Sequence, residues 1–167
     1  MVERDLDMLK KLVQRILRTG RATEVAPPLA DEFDVRPFRS GSAKVRHLDV
    51  GSCNGCEIEI GACFSPVYDL EQFGIALAAS PRHADAVLIT GVVTKNMVGP
   101  FHRTIEATPP PKRLVAIGDC AIDGGSFCDS YAVEGAPAEL TDVDIKIHGC
   151  PPDPAAIVAA LRQLTGK

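Results

Sequence analysis

Tryptophan is absent from this 167-residue chain, and aromatic residues of any kind make up only 5% of it. The core must therefore be built from aliphatic side chains. Basic residues show no excess, since 18 Lys and Arg face 22 Asp and Glu, for a formal net charge of −4. That balance does not suggest a nucleic-acid surface. No apolar run reaches the ~18 residues that read as a membrane-spanning helix. The opening "MVERDLDMLKKLVQRILRTG" carries charges among its apolar positions, unlike a secretory leader. A cytoplasmic location is the expectation, and in a reducing compartment clustered cysteines point to metal or redox chemistry more than to structural disulfides.

What the chain does have is an ordinary globular composition, 46% hydrophobic and 24% charged, with enough length for one real core. Residues 1–20 read as an amphipathic docking helix. Leu6, Leu9, Val13, Ile16 and Leu17 recur at helical spacing, Lys10, Lys11, Arg15 and Arg18 are their polar counterpart, and Gly20 is a stop. Such a helix suits a membrane surface, a groove of a partner, or its own domain. Residues 21–43 contain three prolines and no clear period, and read as an extended arm. Residues 44–167 read as one domain. "KVRHLDV" alternates as a strand should, and "GIALAAS", "ADAVLITG", "KRLVAIGDC" and "DVDIKIHGC" read as further strands. Helices are expected after "CNGC", over "NMVGPFHRTIEA", and over the tail, where Asp153 is the N-cap, Pro154 is N1, and Ile157, Ala160, Leu161 and Leu164 form the apolar stripe. This alternation predicts an α/β fold, a flavodoxin-like doubly wound parallel sheet of four to five strands.

Six cysteines are spread unevenly, unlike the paired knuckles of a small zinc finger. Cys53, Cys56, Cys120 and Cys150 each follow a predicted strand and sit beside glycine. Parallel strands finish on one edge of the sheet, where open α/β folds bind ligands, so these four are expected to converge. Four thiolates suit a [4Fe–4S] cluster or a Zn²⁺ ion. The CxxC pair on its own also fits a thioredoxin-like couple or two core thiols. Cys63 and Cys128 read as small buried hydrophobes. Glu57, directly after Cys56, has two readings: a carboxylate that exchanges protons or hydrogen bonds near a redox centre, or a helix-N-terminal acid favoured by the dipole. His148 lies near Cys150, where an imidazole can tune a redox centre or respond to pH, although a role there is not the default reading; Arg82, His83 and Asp85 read as structural pairing residues.

The blocks "CNGCEIEI", "SPRHADAVLITG", "GDCAIDGG" and "HGCPPDP", in that order over about residues 45–165, resemble the small subunit of membrane-bound, energy-converting (group 4) [NiFe] hydrogenases of the formate hydrogenlyase type. A more distant resemblance is to the complex I subunit that carries the terminal [4Fe–4S] cluster. The resemblance implies a flavodoxin-like fold holding one [4Fe–4S] cluster, with Cys53, Cys56, Cys120 and Cys150 as the iron ligands. It implies an electron relay with no catalytic residue of its own, apart from a proton-coupled role for Glu57, beside the nickel–iron site of a large subunit that reduces protons or oxidises hydrogen. It also implies a ferredoxin-like iron–sulfur subunit and an integral membrane subunit as partners, and a peripheral position on the cytoplasmic side of the membrane. The complex I version places adjacent cysteines where this chain has Cys53-Asn54, with a glutamate matching Glu57, so the CxxC spacing is hydrogenase-like. Soluble uptake hydrogenases have longer small subunits with more clusters; here two cysteines are left after four ligands, and a single cluster is expected. Two alternatives stand beside this: a complex I-like or nickel-free hydrogenase-related oxidoreductase, and a zinc-stabilised interaction module.

Overall fold

Five strands rich in Val, Ile, Leu and Ala form one parallel sheet in the computed structural model of this chain, which describes Phe38, residues 40–167 and the isolated positions Lys10, Val13, Gln14 and Leu17. In chain order the strands are β1 (Ala43–Asp49), β2 (Ile75–Leu77), β3 (Ala86–Thr90), β4 (Val93–Thr94), β5 (Arg113–Ile117), β6 (Val133–Gly135) and β7 (Ile145–Ile147). The main sheet runs β2-β1-β3-β5-β7, and β4 and β6 form a separate antiparallel ribbon. Numbered by its own five members, the main sheet has the order 2-1-3-4-5, the flavodoxin-like arrangement whose switch point lies between β1 and β3. The five strands are those expected from sequence. The ribbon is an addition, because strands of two and three residues are too short to show a period.

The helices are α1 (Gly55–Cys63), α2 (Val98–Ala107), α3 (Asp119–Asp123), α4 (Pro137–Leu140) and α5 (Pro154–Arg162). Both faces of the sheet are covered. On one, Val45, Leu88, Val115, Ile117, Ile145 and Ile147 pack with Ile60 and Cys63 of α1 and with Ile157 and Leu161 of α5. On the other, Val87, Ile89 and Leu114 pack with Val50, Val93 and Phe101 of α2. The central strand β3 is buried along its whole length, which explains its unbroken apolar sequence. Each aliphatic side chain buried in this way contributes about 1.5–3 kcal/mol.

Helix α5 begins as its sequence predicts. The Asp153 carboxylate accepts from Ala155 N at 2.7 Å and Pro154 occupies the first helical position. Pro100 is accommodated in the first turn of α2, where its missing N–H leaves no bond unmade. Most of the predicted docking helix (1–20) and arm (21–43) lies outside the described residues. Lys10, Val13, Gln14 and Leu17 are helical and exposed. Phe38 donates from its backbone N to Leu164 O at 2.8 Å and packs against the α1/α5 core. Among the described residues no helix is long and apolar enough to cross a membrane.

Candidate functional site

The chain leaves β1 through a tight turn. The Asp49 carboxylate accepts from Gly51 N at 2.9 Å and Ser52 N at 2.8 Å, and Ser52 Oγ accepts from Asn54 N at 3.2 Å. These bonds outweigh burial and hold the Asp49 pKa below its ordinary value. Asn54 adopts a left-handed conformation and caps α1, so Cys53 precedes the helix and Cys56 lies within its first turn. Next door, β3 ends at Gly91 with φ +80; a Cβ there would lie 2.4 Å from Ser52 N. Glycine lets the two strand ends run past each other backbone to backbone.

The ends of β5 and β7 are laced together. Gly118 N donates to Ile147 O at 2.8 Å and Asp119 N donates to Gly149 O at 3.0 Å. The Asp119 side chain returns the bond, accepting from Gly149 N at 2.9 Å. His148 Nδ1 lies 3.4 Å from the same oxygen, with its side chain 69% exposed. This lacing draws Cys120 and Cys150 to one place. The first turn meets them there: a Cβ on Gly118, whose φ is +88, would lie 2.6 Å from Cys56 Sγ, and one on Gly55 would touch Pro151 at 3.8 Å. Cys53, Cys56, Cys120 and Cys150 accordingly line one cavity of about 100 Å³, shared with Asp119 and Pro151.

That space is several times the ~10–15 Å³ that holds a single water. Among the described residues, no three of His, Cys, Asp or Glu close around a point as a single-ion site demands. Cys56 and Cys120 are buried, while Cys53 and Cys150 are exposed. Burial, then Glu57, then the other three thiols push the Cys56 thiol up to about 12. Cys120 is raised by burial and by Cys150 and Cys53. Four thiolates here repel one another unless positive charge sits among them, which is the electrostatic condition met by metal binding. A group of four thiolates with glycine beside them fits an iron–sulfur cluster on donor chemistry and clearance.

The other sequence candidates separate clearly. Cys63 is fully buried; its Sγ lies 3.2 Å from Glu59 O within α1 and 3.5 Å from Pro154 O, the second contact tying α1 to α5. Cys128 corrects the expectation of a second core thiol: it is exposed. It sits beyond Gly124 and Gly125, where the chain turns through a single 3₁₀ turn with no apolar face to bury. Asp85 pairs structurally, accepting from Lys44 N at 2.7 Å, and His83 is exposed. Glu57 is in the first turn of α1 as expected, yet it points inward. Its Oε1 accepts from Thr90 Oγ1, and His47 Nε2 lies 3.5 Å away. Thr90 and His47 were not legible as site residues. The only signal was a polar residue closing the apolar run "AVLIT" and another in the middle of "KVRHLDV".

Residues 53–164 match the family model described as "NADH ubiquinone oxidoreductase, 20 Kd subunit". Formate hydrogenlyase subunit 7 of Escherichia coli (strain K12) is 46% identical over 125 residues, which is 75% of this chain and 49% of that protein. The chain thus spans about half the length of that relative. The probable membrane-bound hydrogenase subunit mbhJ of Pyrococcus furiosus is 44% identical over 121 residues, 72% of each protein. Among solved structures, a chain of the membrane-bound sulfane sulfur reductase, an archaeal respiratory membrane complex, superposes with a TM-score of 0.66 at 36% identity, covering 77% of this chain and 71% of that one.

Proposed function

Because this chain belongs to the family of the NADH ubiquinone oxidoreductase 20 Kd subunit, we propose that it is the electron-relay small subunit of a membrane-associated hydrogenase-type complex, with Cys53, Cys56, Cys120 and Cys150 holding one [4Fe–4S] cluster. The observation that carries this reading is the meeting of four distant cysteines at the switch-point edge of the sheet. When bound, the cluster supplies a centre that accepts and releases one electron at a time. The chain's own work is to hold and insulate. Cys56 and Cys120 grip from the buried side and Cys53 and Cys150 from the surface. Asp119 fixes the spacing of the last two loops.

The proposed partners are those that the resemblance of the sequence blocks implies. A large subunit of the [NiFe] type would carry out proton reduction or hydrogen oxidation, a ferredoxin-like subunit would exchange electrons with this chain, and an integral membrane subunit would anchor the assembly on the cytoplasmic face. The helix over residues 1–20 and the arm over residues 21–43 are proposed to dock onto these partners. A second reading places the same relay in a complex I-like or nickel-free hydrogenase-related oxidoreductase, and the likeness to a chain of a complex named for sulfane sulfur reduction supports keeping it. Paired CxxC motifs near both ends of the partner's sequence would select the hydrogenase.

The test is metal analysis of anaerobically purified protein. Four iron and four sulfide per chain, with brown absorption that bleaches on reduction, are expected. Cys120→Ser and Cys150→Ser lose that colour, and Cys63→Ser keeps it. A colourless wild-type protein with one zinc would establish the interaction-module alternative. Iron retained at full content by both ligand variants would refute the assignment.

A further inference from the structure

Glu57 follows Cys56 directly, but its side chain tucks beneath α1 against β1 and β3. Thr90 is fully buried, and the Glu57 and His47 side chains are 16% and 28% exposed. Thr90 Oγ1 donates to Glu57 Oε1, and His47 Nε2 lies 2.9 Å from Thr90 Oγ1. Since the hydroxyl proton is committed to the carboxylate, the hydroxyl lone pairs face His47, which assigns the Nε2–H tautomer and an ordered chain His47 → Thr90 → Glu57. The placement is set by register. Asp49 pairs with Thr90 and His47 with Leu88, so His47 and Thr90 share the α1 face of neighbouring strands. The second carboxylate oxygen, Oε2, is buried with no hydrogen-bond partner among the described residues. The carboxylate is therefore anchored through Oε1 alone, and after burial its charge is the largest influence on the Cys56 thiol.

An acid that merely favoured the helix dipole would sit at the surface, where water solvates both oxygens. Here one oxygen is tied and the other is desolvated, an arrangement with a cost that is unexplained by the packing of α1. Its effect is to hold a negative charge one residue from Cys56, which lines the cysteine cavity, in a medium that screens poorly. We propose that Thr90, itself oriented by His47, is a positioning residue that holds the Glu57 charge against the cysteine site and so keeps the reduction potential of the group bound there low. The proposal rests on the iron–sulfur reading above. A nearby negative charge opposes the arrival of an electron, so its loss or displacement raises the potential.

The experiment is an anaerobic redox titration of the visible absorption of the full-length, iron-loaded protein, with iron, sulfide and heat-unfolding midpoint recorded on every sample. Glu57→Gln is expected to move the potential upward. Thr90→Val should move it in the same direction by less, Thr90→Ser should return it to the wild-type value, and Thr90→Val added to Glu57→Gln should produce no further shift. Should the valine variant fail to retain iron, Thr90→Ala serves the same comparison. A potential unmoved by Thr90→Val or Thr90→Ala at full iron content overturns the positioning role. An upward shift that Thr90→Ser does not reverse, or that adds to that of Glu57→Gln, also overturns it, because the residue would then act by packing. Absence of iron from the wild-type protein removes the cluster reading itself, a failure distinct from an iron-loaded protein whose potential does not respond.

Discussion

Gly118 carries a conformation that almost no other residue adopts, with φ 88 and ψ 153, and there is no room beside it. A methyl group there would press on Cys56 Sγ at 2.6 Å. Gly118→Ala therefore combines backbone strain of about 1–3 kcal/mol with displacement of a proposed ligand. The expected outcome is a protein of normal far-UV circular dichroism with reduced iron content. His47 gives a second prediction at this scale. Burial holds its pKa below the ordinary 6.5, against the opposing pull of Glu57 and Asp49 and in the same sense as Arg46. Above pH 6.5 the imidazole is neutral whether the chain is folded or not. Below it the unfolded chain takes up a proton that the folded chain refuses, so stability falls as the pH drops toward the folded-state value. Urea midpoints at about pH 7.5 and about pH 5.5 should differ less in His47→Gln than in the wild type.

Elements divide into those that the sequence writes locally and those that it does not. Helix α5 is local: cap, proline and apolar stripe are consecutive, and all are found in place. Asp153→Ala should cost about 1 kcal/mol and lower the heat-unfolding midpoint by about 2–4 °C. The parallel strands were equally readable, as was the recurrence of glycine and cysteine at their ends. The lacing of β5 to β7 was not, because Asp119 meets Gly149 across 30 positions and only the register of two strands brings them together. Asp119→Ala should speed the loss of iron to a chelator while leaving the sheet intact. Asp119→Asn, which keeps an acceptor oxygen, should lie nearer the wild type. The Thr90–Glu57 bond was hidden for the same reason: its partners sit on β3 and α1, and a side-chain direction decides it. Cys128 was misread because the turn around it has no periodicity from which burial can be judged.

At the scale of the molecule, the cysteine cavity is a point where the C-terminal ends of four strands, β1, β3, β5 and β7, meet. Burial and mutual repulsion disfavour four thiolates there in the absence of bound metal. Iron removal by an anaerobic chelator should therefore lower the heat-unfolding midpoint. If binding contributes about 4 kcal/mol, the drop is about 10 °C. A scan showing equal midpoints with and without iron would contradict this coupling.

Cys150 follows the strand that is last in chain order to join the sheet. While translation is under way, the emerging polypeptide can present at most an incomplete nest of sulfurs. On the proposed assignment, an iron donor would meet a finished acceptor only after β7 has docked. Delivery of the proposed cluster would thereby be timed by folding, and a product truncated before that strand would be left as an empty shell.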